Sequence, residues 1–366
     1  MGKKARVWDG TAWQELASAQ TDLTAYSTTA QTTAGFRNAI INGGFDINQR
    51  AFSSQVISTS TSVYGTDRWK CAVDAGSGTN TYSVQQFTPG AAPVAGYEAK
   101  QFTRIVTSGQ TLAGTYSIIA QGIENVRTFA GQTATISFWA KAASGTPKIA
   151  VEIEQIFGTG GSPSSTVRTY LGQVTLSTSW NRYSVTASIP SISGKTIGTT
   201  DNTSSVNVNL WVSGGSTYNS NTNSIGIQSN TFDIWGVQFE AGSVATPFEQ
   251  RPISTELALC QRYYWRGGNG SPGIFSRSDL ARYSVRFPVS MRIAPAISAI
   301  AAPLAINPTV TEGQTGSQTT NFISTAGSGS VTTDAASQIQ FGGFSSAVDG
   351  RPTTLLNNCL DFSAEL

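Results

Sequence analysis

Apolar and polar residues alternate strictly along several stretches between residues 38 and 252. Ile136, Phe138 and Ala140 alternate with Thr135, Ser137, Trp139 and Lys141. Ile149, Val151 and Ile153 alternate with Ala150, Glu152 and Glu154. Tyr183, Val185, Ala187 and Ile189 alternate with Arg182, Ser184, Thr186 and Ser188, and Val206, Val208, Leu210 and Val212 with Asn207, Asn209 and Trp211. Successive side chains on a strand point to opposite faces, so each stretch predicts a half-buried antiparallel strand. Clusters of Gly, Ser, Thr, Asn and Pro at 74–80, 88–96, 158–166, 191–205 and 213–230 punctuate them. Many short strands with such breaks predict an all-β antiparallel sandwich of the jelly-roll kind over residues 38–252. The stretch 232–239 carries bulky residues on both parities, which leaves its buried face ambiguous.

The flanks read differently. Val7-Trp8-Asp9-Gly10-Thr11-Ala12-Trp13 predicts a tight hairpin, because Asp-Gly favours a two-residue turn. Residues 1–37 otherwise lack the apolar content for a core, so this segment is expected to dock elsewhere through Trp8 and Trp13. Pro252 and Ser254 signal a helix start, with Leu257, Leu259 and Cys260 following, so 253–266 reads as a linker helix. Alternation resumes at Tyr283, Val285, Phe287 and Val289, and 267–366 is expected to form a second, smaller β domain.

Composition supports strands over helices. Charged residues make up only 12% of the 366, about half the usual share. The solvent faces of helices are commonly Glu, Lys and Arg, whereas strands take Thr and Val readily. The net charge of +2 points to no nucleic-acid or anionic-membrane partner. No run of about 18 apolar residues predicts membrane insertion. Cys71, Cys260 and Cys359 fit neither a zinc spacing nor a disulfide framework, and read as free, small hydrophobes. The chain has no histidine, which removes the commonest general base and metal ligand. No phosphate-loop, dinucleotide or nucleophile-elbow motif is present. The expectation is therefore a non-enzymatic protein without a cofactor.

Three groups of residues carry candidate chemistry. Glu152 and Glu154 lie on one strand face about 7 Å apart, a spacing open to a glycosidase pair and equally to an ordinary solvated face. Trp139 and Trp211 sit on the polar parity of their strands with Glu152, Glu154, Asn207 and Asn209. Such a face suits a glycan, whose apolar ring faces stack on indole while amides and carboxylates take the hydroxyls. Alternatively, a loop or a neighbouring subunit covers the two tryptophans. Tyr263, Tyr264 and Trp265 form an aromatic patch of the kind that anchors an interface.

Asn38–Arg50, Thr231–Arg251 and Ser137-Phe138-Trp139-Ala140-Lys141 resemble virion structural proteins of tailed bacteriophages, especially tail-fibre and related appendage proteins. The resemblance runs from about Arg37 to Tyr264, and the central domain of that family is similar to a carbohydrate-binding-module jelly roll. It implies that Asn38–Arg50 and Thr231–Arg251 hold the first and last strands of the sandwich. It also implies that residues 1–37, with Arg6, Trp8 and Trp13, attach to other virion proteins, and that the chain forms a homotrimer that binds a host-surface glycan. Asp46 and Asp233 become candidate calcium ligands by the same resemblance, since calcium takes oxygen ligands. The expected location is the virion, assembled in the host bacterial cytoplasm. Capsid decoration, a collar, neck or baseplate role without receptor binding, and a glycan-degrading appendage are the alternatives.

Overall fold

The structure is a computed structural model. It describes residues 36–267 apart from 77, residues 271–277, 280–299 and 360–366, and the backbone of seven further strands: Arg6–Trp8, Trp13–Glu15, Leu304–Pro308, Gln318–Thr320, Phe322–Ser324, Ala336–Gly342 and Pro352–Leu355.

Strands β1 (Arg6–Trp8) and β2 (Trp13–Glu15) pair antiparallel with Trp8 opposite Trp13, as the hairpin pattern predicts. Residues 9–12 lie between them, a longer connection than the two-residue turn expected from Asp9-Gly10. The attachment role expected of Arg6, Trp8 and Trp13 concerns side chains outside the described residues, as does Cys359.

Twelve strands follow: β3 (Ser54–Ile57), β4 (Thr61–Tyr64), β5 (Lys70–Asp74), β6 (Thr79–Gln86), β7 (Gln101–Ser108), β8 (Tyr116–Glu124), β9 (Thr133–Ala142), β10 (Lys148–Ile156), β11 (Val167–Thr175), β12 (Asn181–Ser188), β13 (Ser205–Gly214) and β14 (Asn230–Ala241). They form two six-stranded sheets, ordered β11-β10-β13-β8-β5-β4 and β12-β9-β14-β7-β6-β3. The antiparallel pairs β7 with β14, β8 with β13, β9 with β12 and β10 with β11 define one ribbon, four strands out and four back. Its successive pairs alternate between the sheets, which is the jelly-roll connection. Strands β3 to β6 widen the sandwich at one edge of each sheet.

The alternating apolar residues meet between the sheets. Ile136, Phe138, Ile149, Val151, Ile153, Val206, Val208 and Leu210 are all buried in one core. Strand β14 resolves its ambiguous parity through a bulge: its register with β9 shifts between Trp235 and Gln238, and Gly236 there has φ +64°. The extra residue moves the inward set from Phe232 and Ile234 to Val237 and Phe239, so both parities are buried.

The segment 38–50 differs from the strand expected there. It runs beside β14 as irregular chain, with Ala39 N–H donating to Phe239 O at 2.8 Å and Val237 N–H to Gly43 O at 3.0 Å. Asn38 replaces ladder bonds with its amide, donating to Val237 O at 3.1 Å and accepting from Phe239 N–H at 2.9 Å. A Cβ at Gly43 would sit 2.2 Å from Val237 O, so only glycine permits this approach.

Two helices follow the pattern of turns: α1 (Asn219–Thr222) and α2 (Ile253–Gln261). The linker helix ends earlier than expected, because Tyr264–Gly267 is a strand. That strand pairs with Leu360–Ser363, which also pairs with Ala296–Ala299. A seven-stranded antiparallel sheet accounts for the remaining C-terminal strands.

Tyr263, Tyr264 and Trp265 pack within the chain, where sandwich and C-terminal sheet meet. Arg68 is fully buried with its guanidinium 3.3 Å from the Tyr263 ring centre, and it bonds Glu365 and Gly122 O. Arg50 lies 3.6 Å over Tyr264, and Trp265 stacks on Phe362 at 5.2 Å. Arg292 donates to Ala364 O at 2.8 Å and Glu365 O at 3.0 Å. Each guanidinium keeps its charge by meeting carboxylate or carbonyl oxygens and ring faces, which offset the cost of burial.

Candidate functional site

The outward face of the β11-β10-β13-β8-β5-β4 sheet gathers most of the residues singled out by parity. The strand registers align Tyr64, Lys70, Ala120, Asn209, Glu152 and Tyr170 in one row across it. A neighbouring row holds Gly122, Asn207, Glu154 and Arg168, and another Ala72, Ile118, Trp211 and Ala150.

Glu152 is the hub. It is fully buried, and its Oε2 accepts from Asn209 Nδ2 and Trp211 Nε1, both at 3.0 Å. Its Oε1 accepts from Asn221 Nδ2 at 2.7 Å, and Arg168 Nη1 lies 3.7 Å from Oε2. Glu154 accepts from Arg168 Nη2 at 2.6 Å and from Asn207 Nδ2 at 3.3 Å. A carboxylate with this many donors is held ionised and immobile. The pair is not the solvated face that strand spacing alone suggests. Nor does either carboxylate stand free to pass a proton to a substrate.

Trp211 is buried as well, because residues 215–226 fold back over it, closed by the bridge between Gly214 and Gly226. It packs with Ile118, Ala120, Ala150 and Ile225. The rings that reach the surface are tyrosines: Tyr116, Tyr170 and Tyr218 are half-buried against this cluster. Tyr218 lies 5.2 Å from both Trp211 and Tyr116. Burial pushes the Tyr116 and Tyr218 hydroxyls up, so both stay protonated donors at neutral pH. At the far side of the face, Leu366 O accepts from Tyr64 Oη at 2.7 Å and Lys70 Nζ at 3.1 Å.

Five of the six residues expected on a glycan face, Glu152, Glu154, Asn207, Asn209 and Trp211, therefore converge, whereas Trp139 does not. It belongs to β9 in the other sheet, half-buried between Trp235 at 5.3 Å and Phe248 at 6.3 Å, with the Arg182 guanidinium at 4.8 Å. Sequence reading missed Arg168, Tyr170, Tyr116, Tyr218 and Asn221. Arg168 and Tyr170 share a parity in β11, a signal that was available; Tyr218 and Asn221 lie in a stretch that reads only as punctuation.

The two aspartates expected as calcium ligands have separate surroundings. Asp233 forms a two-pronged pair with Arg104, at 2.6 and 2.8 Å, and has Lys141 at 3.7 Å. Asp46 lines a cleft of about 550 Å³ with Tyr97, Lys100, Arg251, Ile253 and Leu257. Burial, with Glu256 adding to it, pushes its carboxyl up to about 6. The oxygen-rich spot beside it is filled by a side-chain cation: Arg251 bonds Glu249 at 3.1 Å, Glu256 at 3.2 Å, Ile40 O at 3.1 Å and Asn38 O. Among the described residues no three His, Cys, Asp or Glu side chains cluster as metal ligands would. Cys71 and Cys260 are free and buried, and burial pushes the Cys71 thiol up to about 12.

The fold and this face together define the class: a jelly-roll sandwich with an aromatic and amide-rich sheet surface. No protein-family description matches the chain, and no curated protein matches it. Solved structures align with about half of it. A CBM4 structure is 18% identical and covers 55% of this chain and 98% of its own, with a TM-score of 0.27. A sugar-binding protein from Bacteroides thetaiotaomicron, described as putative, is 13% identical over 56% of this chain and 100% of its own, with a TM-score of 0.35. TmCBM61 in complex with β-1,4-galactotriose is 12% identical over 57% and 100%, with a TM-score of 0.28. Scores this low add nothing to the jelly-roll order read directly from the strand pairing.

Proposed function

We propose that this chain is a non-catalytic glycan-binding subunit of a bacteriophage virion appendage, homotrimeric and attached through residues 1–37. The observation that carries the binding reading is the trio of half-buried tyrosines, Tyr116, Tyr170 and Tyr218, seated on Trp211 beside Arg168. Aromatic rings with polar tips receive the apolar faces of sugars and also bond their hydroxyls. Glu152 serves this surface from beneath, fixing Trp211, Asn209 and Asn221 so that the tyrosines need little ordering on binding. The virion role rests on the resemblance of Asn38–Arg50, Ser137–Lys141 and Thr231–Arg251 to phage fibre proteins, and on the hairpin of β1 and β2.

The test is affinity electrophoresis of the full chain through host polysaccharides, with Tyr218→Ala and Tyr170→Ala as variants. A retarded protein whose affinity drops tenfold or more in each variant, with melting unchanged, supports the reading. Equal retention of the variants, or retention by no polysaccharide, overturns it. Light scattering and antibody labelling of intact particles test the trimer and its place on a projecting fibre.

A further inference from the structure

The cleft beside Asp46 lies apart from the tyrosine face and contains polar groups that the protein itself leaves unused. Among the described residues the Asp46 carboxylate has no hydrogen bond or ion pair, although it is half-buried. Trp235 is completely buried, and its Nε1 has no hydrogen-bond partner among the described residues. A buried N–H without a partner costs free energy, and the rarity of such groups in folded proteins makes each one informative. Gly44 connects the two. A Cβ there would come 2.8 Å from Asp46 Oδ2 and 3.7 Å from Trp235 Nε1. Gly44 is not among the residues with positive φ, so its backbone does not demand glycine. The missing side chain instead keeps an acceptor and a donor open to one small space.

That space is a cavity of about 30 Å³ lined by Gly44, Asp46, Tyr97 and Phe248 among others, adjoining the larger cleft of about 550 Å³ through Asp46, Tyr97, Arg251 and Ile253. The smaller volume accepts one water-sized group. The larger lies in the range of small-ligand sites. An ammonium group could donate to Asp46 but could not accept from the indole. A carboxylate would accept from the indole but meet Asp46 and Glu256 as like charges. A hydroxyl alone does both, donating to Asp46 and accepting from Trp235 Nε1. Beyond this inner end the walls are apolar at Ile253 and Leu257 and aromatic at Tyr97, whose ring is 5.6 Å from Trp235. Gln49, Glu98 and Lys100 stand at the outer margin.

We propose that this cleft is a second binding site, for a neutral sugar ring that buries one hydroxyl between Asp46 and Trp235 and lays its apolar face along Tyr97. The site is independent of the tyrosine face and does not require it. The experiment is a titration of the full ¹⁵N-labelled chain with methyl β-D-glucopyranoside and methyl β-D-galactopyranoside. The Trp235 indole N–H signal is the readout, assigned by its loss in Trp235→Phe. A saturable shift with at least one glycoside is expected. Gly44→Ala, which fills the inner space, and Asp46→Ala, which removes the acceptor, should each weaken it tenfold or more. Tyr218→Ala should leave it unchanged, which separates this site from the other. A Trp235 signal unmoved by both glycosides means an enclosed water only and overturns the proposal. So does equal affinity in the Gly44→Ala and Asp46→Ala proteins.

Discussion

Glu152 and Asp46 are both withdrawn carboxylates, and the protein treats them in opposite ways. Glu152 is surrounded by Asn209, Trp211, Asn221 and Arg168, all of which donate to it or pair with it. Asp46 receives no hydrogen bond from the described residues and faces a second acid, Glu256. The first arrangement turns a charge into scaffolding; the second leaves a charge whose environment disfavours it. Withdrawal from water alone therefore does not tell what an acidic residue is for. The donors aimed at it do.

The largest effect expected from breaking this contrast is in Glu152→Ala. It strands the Trp211, Asn209 and Asn221 donors beneath a closed loop, and the cost is about 3–5 kcal/mol in urea denaturation. Asp46→Asn should move stability the other way. The folded carboxyl is raised from 3.8 to about 6, so between those pH values the folded chain binds more protons than the unfolded one. Stability from this residue is therefore lost as pH rises through that window. Asp46→Asn should gain about 2 kcal/mol at pH 8 and nothing at pH 3, after allowance for partial screening. A thermal-melt series across pH checks the sign. Trp211→Phe keeps the ring packing and removes one donor to Glu152, for a loss of about 1 kcal/mol. Arg168→Ala should change stability by less than about 1 kcal/mol, because its guanidinium is roughly half exposed. The same change should weaken polysaccharide retention in gels, which separates its binding role from its structural one.

Strands β9, β10, β12 and β13 were legible because one parity is apolar throughout, and the same parity placed Glu152, Glu154, Asn207, Asn209 and Trp211 on a common face. Strand β8 was not, because Ser117 to Ile123 is buried on both sides: Leu366 approaches Gly122, and Ile118 and Ala120 pack with Trp211. Where both faces are covered, alternation loses its meaning. Strand β14 hid its parity in the bulge at Gly236. Residues 38–50 were misread because the Asn38 amide supplies bonds that a ladder would otherwise make, a substitution invisible to period counting. Tyr116 and Tyr218 were out of reach for a related reason: their meeting depends on the turn at 215–226 folding back over the sheet. Asp46 stood out as an acid at an edge, but its lack of partners is a property of the fold and not of any local pattern.

The nested ribbon also carries an order of assembly. Its innermost pair, β10 with β11, joins neighbours in the chain, whereas the outermost, β7 with β14, brings Thr107 to Asn230. Each pair closes a longer loop than the one inside it, unless the inner pairs have already drawn the ends together. The sandwich is thus built to zip from the β10–β11 hairpin outward. Amides of β7 and β14, including those beside Trp235, would gain protection from hydrogen exchange last and lose it first.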